Sequence, residues 1–186
     1  MLRKKGMKMK KINSLILSLV FVAIMSACRG YHIGSLKHPD IDSIAVMPIE
    51  NASNRPQLSV DVQSGLRMAI QGDGTYKLTD SKQADCIIYA KVLEGRTVGV
   101  GTTYRADRKD NDDGNNYGTT MYKYIVKVEY TVLIPGQNRP LIKTAVVTGE
   151  NRFSSMPDIE QSRVLAAKKA SDDAAKTIIS NITEAW

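Results

Sequence analysis

The sequence predicts an α/β (α+β) chain: a two-layer sandwich in which a mixed, mostly antiparallel sheet carries two helices packed on one face. Three observations predict it. A short continuous apolar run is followed by a helical stripe, three later segments alternate apolar with polar residues, and the chain closes on a second, alanine-rich helical stripe.

Taken in order, Ser43-Ile44-Ala45-Val46-Met47-Pro48-Ile49 is apolar without interruption between polar flanks, which suits a strand buried on both faces. Glu50 to Pro56 breaks it. From Leu58, the residues Leu58, Val62, Leu66, Ala69 and Ile70 recur at helical spacing, and Gly72 and Gly74 end the helix. A short strand around Tyr76-Lys77-Leu78 and a polar turn at Asp80–Gln83 follow. Three longer strands are expected at Asp85–Val98, Met121–Ile134 and Leu141–Glu150. In the middle one Tyr124, Val126, Val128, Tyr130 and Val132 share a face, while Lys127, Glu129 and Thr131 share the other, as in a half-covered sheet. Pro135 to Pro140 supplies a hairpin turn between the last two strands. The last helix is expected to start at Ser155-Met156-Pro157-Asp158 as an N-cap with proline and acid in the first turn, and to bury Val164, Ala167, Ala174, Ile178 and Ile182.

Ahead of this domain lies a targeting segment. Arg3, Lys4, Lys5, Lys8, Lys10 and Lys11 precede an apolar stretch from Ile12 to Met25, and no acid occurs there. The stretch is about 14 residues, shorter than the roughly 20 a membrane-crossing helix needs. It ends in Met25-Ser26-Ala27-Cys28, which resembles the lipobox of signal peptidase II substrates. The expected organisation is therefore a cleaved lipoprotein signal over 1–27, a tether lipidated at Cys28 over 28–42, and a domain over 43–186. Each buried methylene of an acyl chain contributes about 0.8 kcal/mol, so two or more chains hold the protein to a membrane. Arg29 after the lipid cysteine resembles the sorting pattern for the outer membrane.

Charge is read after the signal is subtracted. The chain has 26 Lys and Arg against 19 Asp and Glu, but six of the bases and no acid precede Cys28. The mature chain is then almost neutral, and net charge gives no argument for nucleic-acid binding. Its 159 residues, 186 less the signal's 27, suffice for one domain with a core. With Cys28 committed to lipid, Cys86 is the only other cysteine and is expected as a buried core thiol.

Catalytic and metal chemistry find few residues. The histidines are His32 and His38, both in the expected tether, with no nucleophile, base and orienting partner at hand and no metal-ligand cluster beside them. No catalytic residue, metal or cofactor is expected. Asp107 to Gly114 invites a calcium-loop reading, but taking Gly114 as the sixth position places Lys109 first and Thr120 twelfth, so the pattern fails. Gly101 to Thr120 is expected to be a solvated loop of about 20 residues. Trp186, the only tryptophan, suits a docking surface or core.

Several short motifs carry a likeness to a known family. Cys28-Arg29-Gly30-Tyr31-His32-Ile33 after the lipobox, Ile44-Ala45-Val46-Met47-Pro48-Ile49-Glu50-Asn51 before a helix, and Ala84-Asp85-Cys86-Ile87-Ile88 leading a strand resemble the LPS-assembly lipoprotein LptE family. The resemblance implies a non-enzymatic outer-membrane lipoprotein facing the periplasm. Such a protein plugs the LptD β-barrel translocon, assists its assembly and binds lipopolysaccharide. A binder of clustered phosphates needs exposed cations, and Lys91, Arg96, Arg105, Lys123 and Lys127 are the candidates. The strand Ile44–Ile49 also resembles the first strand of CsgG-type secretion lipoproteins and of lipoprotein activators of peptidoglycan synthases.

Overall fold

The first strand, β1 (Ser43–Val46), has Ile44 at 0% and Ala45 at 2% exposure, so it is buried on both faces as its unbroken apolar run requires. The computed structural model describes residues 38, 40–104, 117–155 and 158–184. All of them fall in one compact unit, Gly34–Trp186. The signal segment and Cys28 lie outside the described residues, as do Arg105 and Trp186.

Two residues of the expected tether belong to the fold. Ile41 is buried in the core, and the Asp42 carbonyl accepts from Lys77 N at 2.8 Å, so the packed fold includes residues ahead of Ser43.

Helix α1 (Gln57–Asp73) follows the two-residue strand β2 (Glu50–Asn51) and buries Leu58, Val62, Gly65, Leu66 and Ile70. Gly74 stops it in the left-handed region, at φ 71, where its N–H reaches the Ile70 carbonyl. The chain returns through β3 (Lys77–Leu78), parallel to β1. Three long strands complete the sheet: β4 (Cys86–Tyr104), β5 (Tyr117–Leu133) and β6 (Pro140–Ser154). The order is β3-β1-β4-β5-β6, with β2 also on β4; β1 and β2 run parallel to β4, and β4, β5 and β6 alternate in direction. The mixed, mostly antiparallel sheet is as the sequence predicts. Its long strands continue past their expected ends: β4 pairs with β5 out to Tyr104 and Tyr117, so ladder takes both ends of the expected loop from Gly101 to Thr120, whose middle, 105–116, lies outside the described residues.

Helix α2 (Ile159–Thr183) packs beside α1 on one face of the sheet. Asp158, and not Ser155, caps it: its carboxylate accepts from Glu160 N at 2.8 Å and Gln161 N at 3.2 Å. Ser155 instead ends the β ladder, its N–H donating to the Thr120 carbonyl. The helix buries Ala166, Ala170, Ala174, Ala175, Ile178, Ile179 and Ile182, whereas Val164, expected inside, is 66% exposed. Close approach explains the alanines. A Cβ built on Gly149 of β6 would lie 2.0 Å from the Ala170 carbonyl oxygen and 2.5 Å from Ala174 N. Helix and strand backbones thus touch there, and only small residues fit between them. The two helices meet similarly, since a Cβ on Gly65 would sit 3.1 Å from Ala175 Cβ.

Candidate functional site

Both helices cover one face of the sheet, which leaves the other face open and places on it the charged residues of the three long strands. On β5 the core takes Tyr124, Val126, Val128, Tyr130 and Val132, so Lys123, Ile125, Lys127, Glu129 and Thr131 point the opposite way. On β4 the residues across from them are Val98, Arg96, Glu94, Lys91 and Tyr89. A bulge sets this register. Strict alternation from Lys91 would send Arg96 into the core, but the shift between Val92 and Glu94 moves Glu94 opposite Lys127 and Arg96 opposite Ile125, onto the open face.

Four of the five cations expected from sequence therefore share one surface; Arg105 lies outside the described residues. None of the four is unpaired. Lys91 Nζ lies 3.7 Å from Glu50, Arg96 Nε 2.9 Å from Glu94, Lys127 Nζ 3.0 Å from the other oxygen of Glu94, and Lys123 Nζ 2.8 Å from Glu150. The Lys127 ammonium beside Glu94 holds its carboxyl below the ordinary value. Glu50 reaches Lys91 because β2 lies parallel to β4 with those residues in register. Glu129 lies opposite Lys91, and although Arg152 opposite Lys123 sets two cations side by side, the surface mixes both signs rather than forming a basic patch. Tyr89, Met121 and Val146 stand exposed among the charges, and Ile125 is buried between the stems of its charged neighbours. Pro48, Glu50, Tyr89, Lys91, Glu129 and Thr144 line a shallow concavity at one end.

Each ion pair is partly exposed to solvent and so adds little stability. Cys86 is buried under the sheet, and burial, with Asp85 beside it, pushes its thiol up to about 12. Among the described residues no three His, Cys, Asp or Glu side chains converge as metal ligands.

The motif residues Asn51 and Asp85 do architectural work. Asn51 Oδ1 accepts from Ser53 N at 2.9 Å and Ser53 Oγ at 2.7 Å, while Asn51 Nδ2 donates to the Arg55 carbonyl, which turns the chain from β2 toward α1. Asp85 Oδ2 accepts from Asp42 N, Ser43 N and Ser43 Oγ at 3.1, 2.9 and 2.6 Å. That carboxylate clips the start of β1 to the start of β4. Hydrogen bonding from Ser43 and Asp42 lowers its pKa.

The family model described as "LptE: Lipopolysaccharide-assembly" matches residues 41–182. No curated protein matches the chain. Among solved structures it is similar to the PelC dodecamer from Paraburkholderia phytofirmans, at 13% identity and a TM-score of 0.49 over 82% of this chain and 95% of that one. It is also similar to the hypothetical protein CT253 from Chlamydia trachomatis, at 10% identity and a TM-score of 0.48 over 77% and 96%. A minor lipoprotein from Acinetobacter baumannii resembles it at 12% identity and a TM-score of 0.46 over 77% and 93%.

Proposed function

The chain belongs to the LptE family of lipopolysaccharide assembly, and on that premise we propose that it is an outer-membrane lipoprotein that plugs an LptD-type β-barrel translocon. In this reading it assists the barrel's assembly and binds lipopolysaccharide on its way to the outer leaflet. Residues 1–27 are the cleaved signal, and Cys28 carries the lipid that holds the domain at the periplasmic face. Family membership supports a binding role rather than an enzymatic one.

The observation that carries the proposal is the open sheet face. Among the described residues one whole face of the sheet is left uncovered, and it presents charges of both signs together with exposed Tyr89, Met121 and Val146. A polar barrel lumen offers donors, acceptors and charges of both signs, and a near-neutral ladder can match it without leaving a large unpaired field. For lipopolysaccharide we propose that phosphates displace the glutamates from Lys91, Arg96, Lys123 and Lys127, with Arg105 as a further contact. Charge-assisted bonds to phosphate are stronger than half-exposed pairs with carboxylate.

Charge reversal tests this. Lys91→Glu combined with Lys127→Glu places like charges beside Glu50, Glu94 and Glu129. The double variant is expected to keep its thermal transition within a few degrees and to bind lipopolysaccharide at least about tenfold more weakly, a loss of roughly 1.4 kcal/mol. Unchanged binding in a folded double variant rejects these residues as the phosphate contacts.

A further inference from the structure

The two helices run parallel and start together: Leu58 near the head of α1 and Arg163 near the head of α2 line one cavity, whereas Asp73 and Thr183 meet at the other end. The cavity holds about 110 Å³ and lies on the helix side of the sheet. Its floor is Tyr124 of β5. That residue pairs with Thr97 of β4 and sends its ring diagonally over Gly95, where a Cβ would lie 3.2 Å from the tyrosine hydroxyl and 2.2 Å from Leu58 Cδ1. Glycine at 95 therefore admits both side chains. Ala167 and Val164, the valine that the helix leaves 66% exposed, add an apolar wall.

The polar groups around this cavity are unevenly satisfied. Its acids have donors: Asp61 Oδ1 accepts from Gln57 Nε2 at 3.2 Å, and Glu160 takes a terminal nitrogen of Arg163. The groups left over are donors. Tyr124 is only 3% exposed, yet among the described residues its hydroxyl meets no partner; Arg163 Nε is buried without one, and Arg55 on the cavity wall has no ion pair. Native folds seldom leave buried donors unpaired, so two of them and an unpaired guanidinium around one cavity point to an acceptor that arrives from outside. Burial pushes the Tyr124 phenol pKa up, which keeps its proton in place to donate. The head of α1 adds positive potential, because it has neither a capping side chain nor an acid in its first turn.

We propose that this cavity binds a carboxylate carried on a small aliphatic group: Arg55, Arg163 and the Tyr124 hydroxyl hold its oxygens, and Leu58, Val164 and Ala167 enclose the aliphatic part. Asp61 and Glu160 close by favour a single negative charge over a dianionic phosphate, since each further charge on the ligand meets their repulsion. A free aliphatic acid and the carboxy-terminal residue of a peptide offer the same chemistry and the same contacts. The site lies across the sheet from the open face and stands independently of the family reading.

Calorimetric titration of the full-length lipoprotein in detergent tests the proposal with four probes: a short peptide ending in leucine, the same peptide as its carboxy-terminal amide, isovalerate and inorganic phosphate. The acid peptide is expected to bind at least about tenfold more tightly than its amide and than phosphate. Isovalerate that matches the acid peptide makes a free acid the source, and tighter binding of the peptide makes it a chain end; either supports the site. Tyr124→Phe and Arg55→Gln should each weaken binding about tenfold while the thermal transition stays unchanged. Absence of binding by both acids at millimolar concentrations overturns the proposal. So does an amide or phosphate that binds as tightly as the acid, or binding that both variants leave at the wild-type level.

Discussion

At the scale of single residues, Asp85 carries the most consequence, because one carboxylate oxygen receives three donors and joins two strands far apart in sequence. Its pKa is lowered by those bonds, first by the Ser43 hydroxyl and then by Asp42 N. A carboxyl whose folded pKa lies below its unfolded value adds stability above the ordinary range near 4, and loses it as pH falls through the folded value. The site faces solvent, so Asp85→Ala is expected to cost only about 1 kcal/mol at neutral pH. Denaturation midpoints of wild type and variant should converge as the pH is taken below about 4; a gap that persists unchanged there contradicts the role. The Ala-Asp motif was visible in the sequence as a likeness, but its role was not. Only the parallel pairing of β1 with β4 brings Ser43 beside Asp85, and no local pattern encodes that. Asn51 is similar: its position before a helix suggested a break, while its turn-forming bonds needed the backbone path from Ser53 to Arg55.

At the scale of elements, periodicity located both helices and the long strands but missed the two-residue β2, which lies where Glu50 to Pro56 was expected only to break the chain, and further errors arose where two elements share a boundary. The helical stripe of α1 was legible because its buried residues are large and its end is marked by Gly74. α2 was harder. Both Ser155 and Asp158 are good capping residues, and the choice between them depends on how far β6 runs: the ladder holds Ser155 through Thr120, so the helix starts three residues later. Asp158→Ala is accordingly expected to lower stability by about 1 kcal/mol through loss of the Glu160 and Gln161 amide bonds. A thermal melt in which Asp158→Ala matches wild type would return the cap to another residue. The exposure of Val164 has its cause in the phase of the same helix. The buried stripe at the start of α2 runs through Ala166 and Ala170, and Val164, two residues before Ala166 and so about 200° around the helix, faces away from it. In β4 the bulge at Val92 and Glu94 was invisible to a period-two reading, yet it is what places Arg96 with the other cations.

At the scale of the whole molecule, two layers and their order were legible, because each element has one apolar side and must bury it against another. The character of the open face was not. Its cations were identifiable as polar-side residues, but their partners come from other strands: Glu150 is 27 positions from Lys123, and Glu50 reaches Lys91 only through β2. What reads along the chain as a basic patch becomes, once the strands pair, a neutral ladder with exposed apolar residues between its rungs. A surface of that kind suits a matched wall of mixed charge, as the proposed place inside a barrel requires. Affinity purification of the full-length lipoprotein from membranes in mild detergent tests that placement most directly. A large outer-membrane β-barrel as the main co-purifying protein is the predicted result. Recovery of the chain without a barrel, in a ring of identical subunits or with a peptidoglycan synthase, would contradict it.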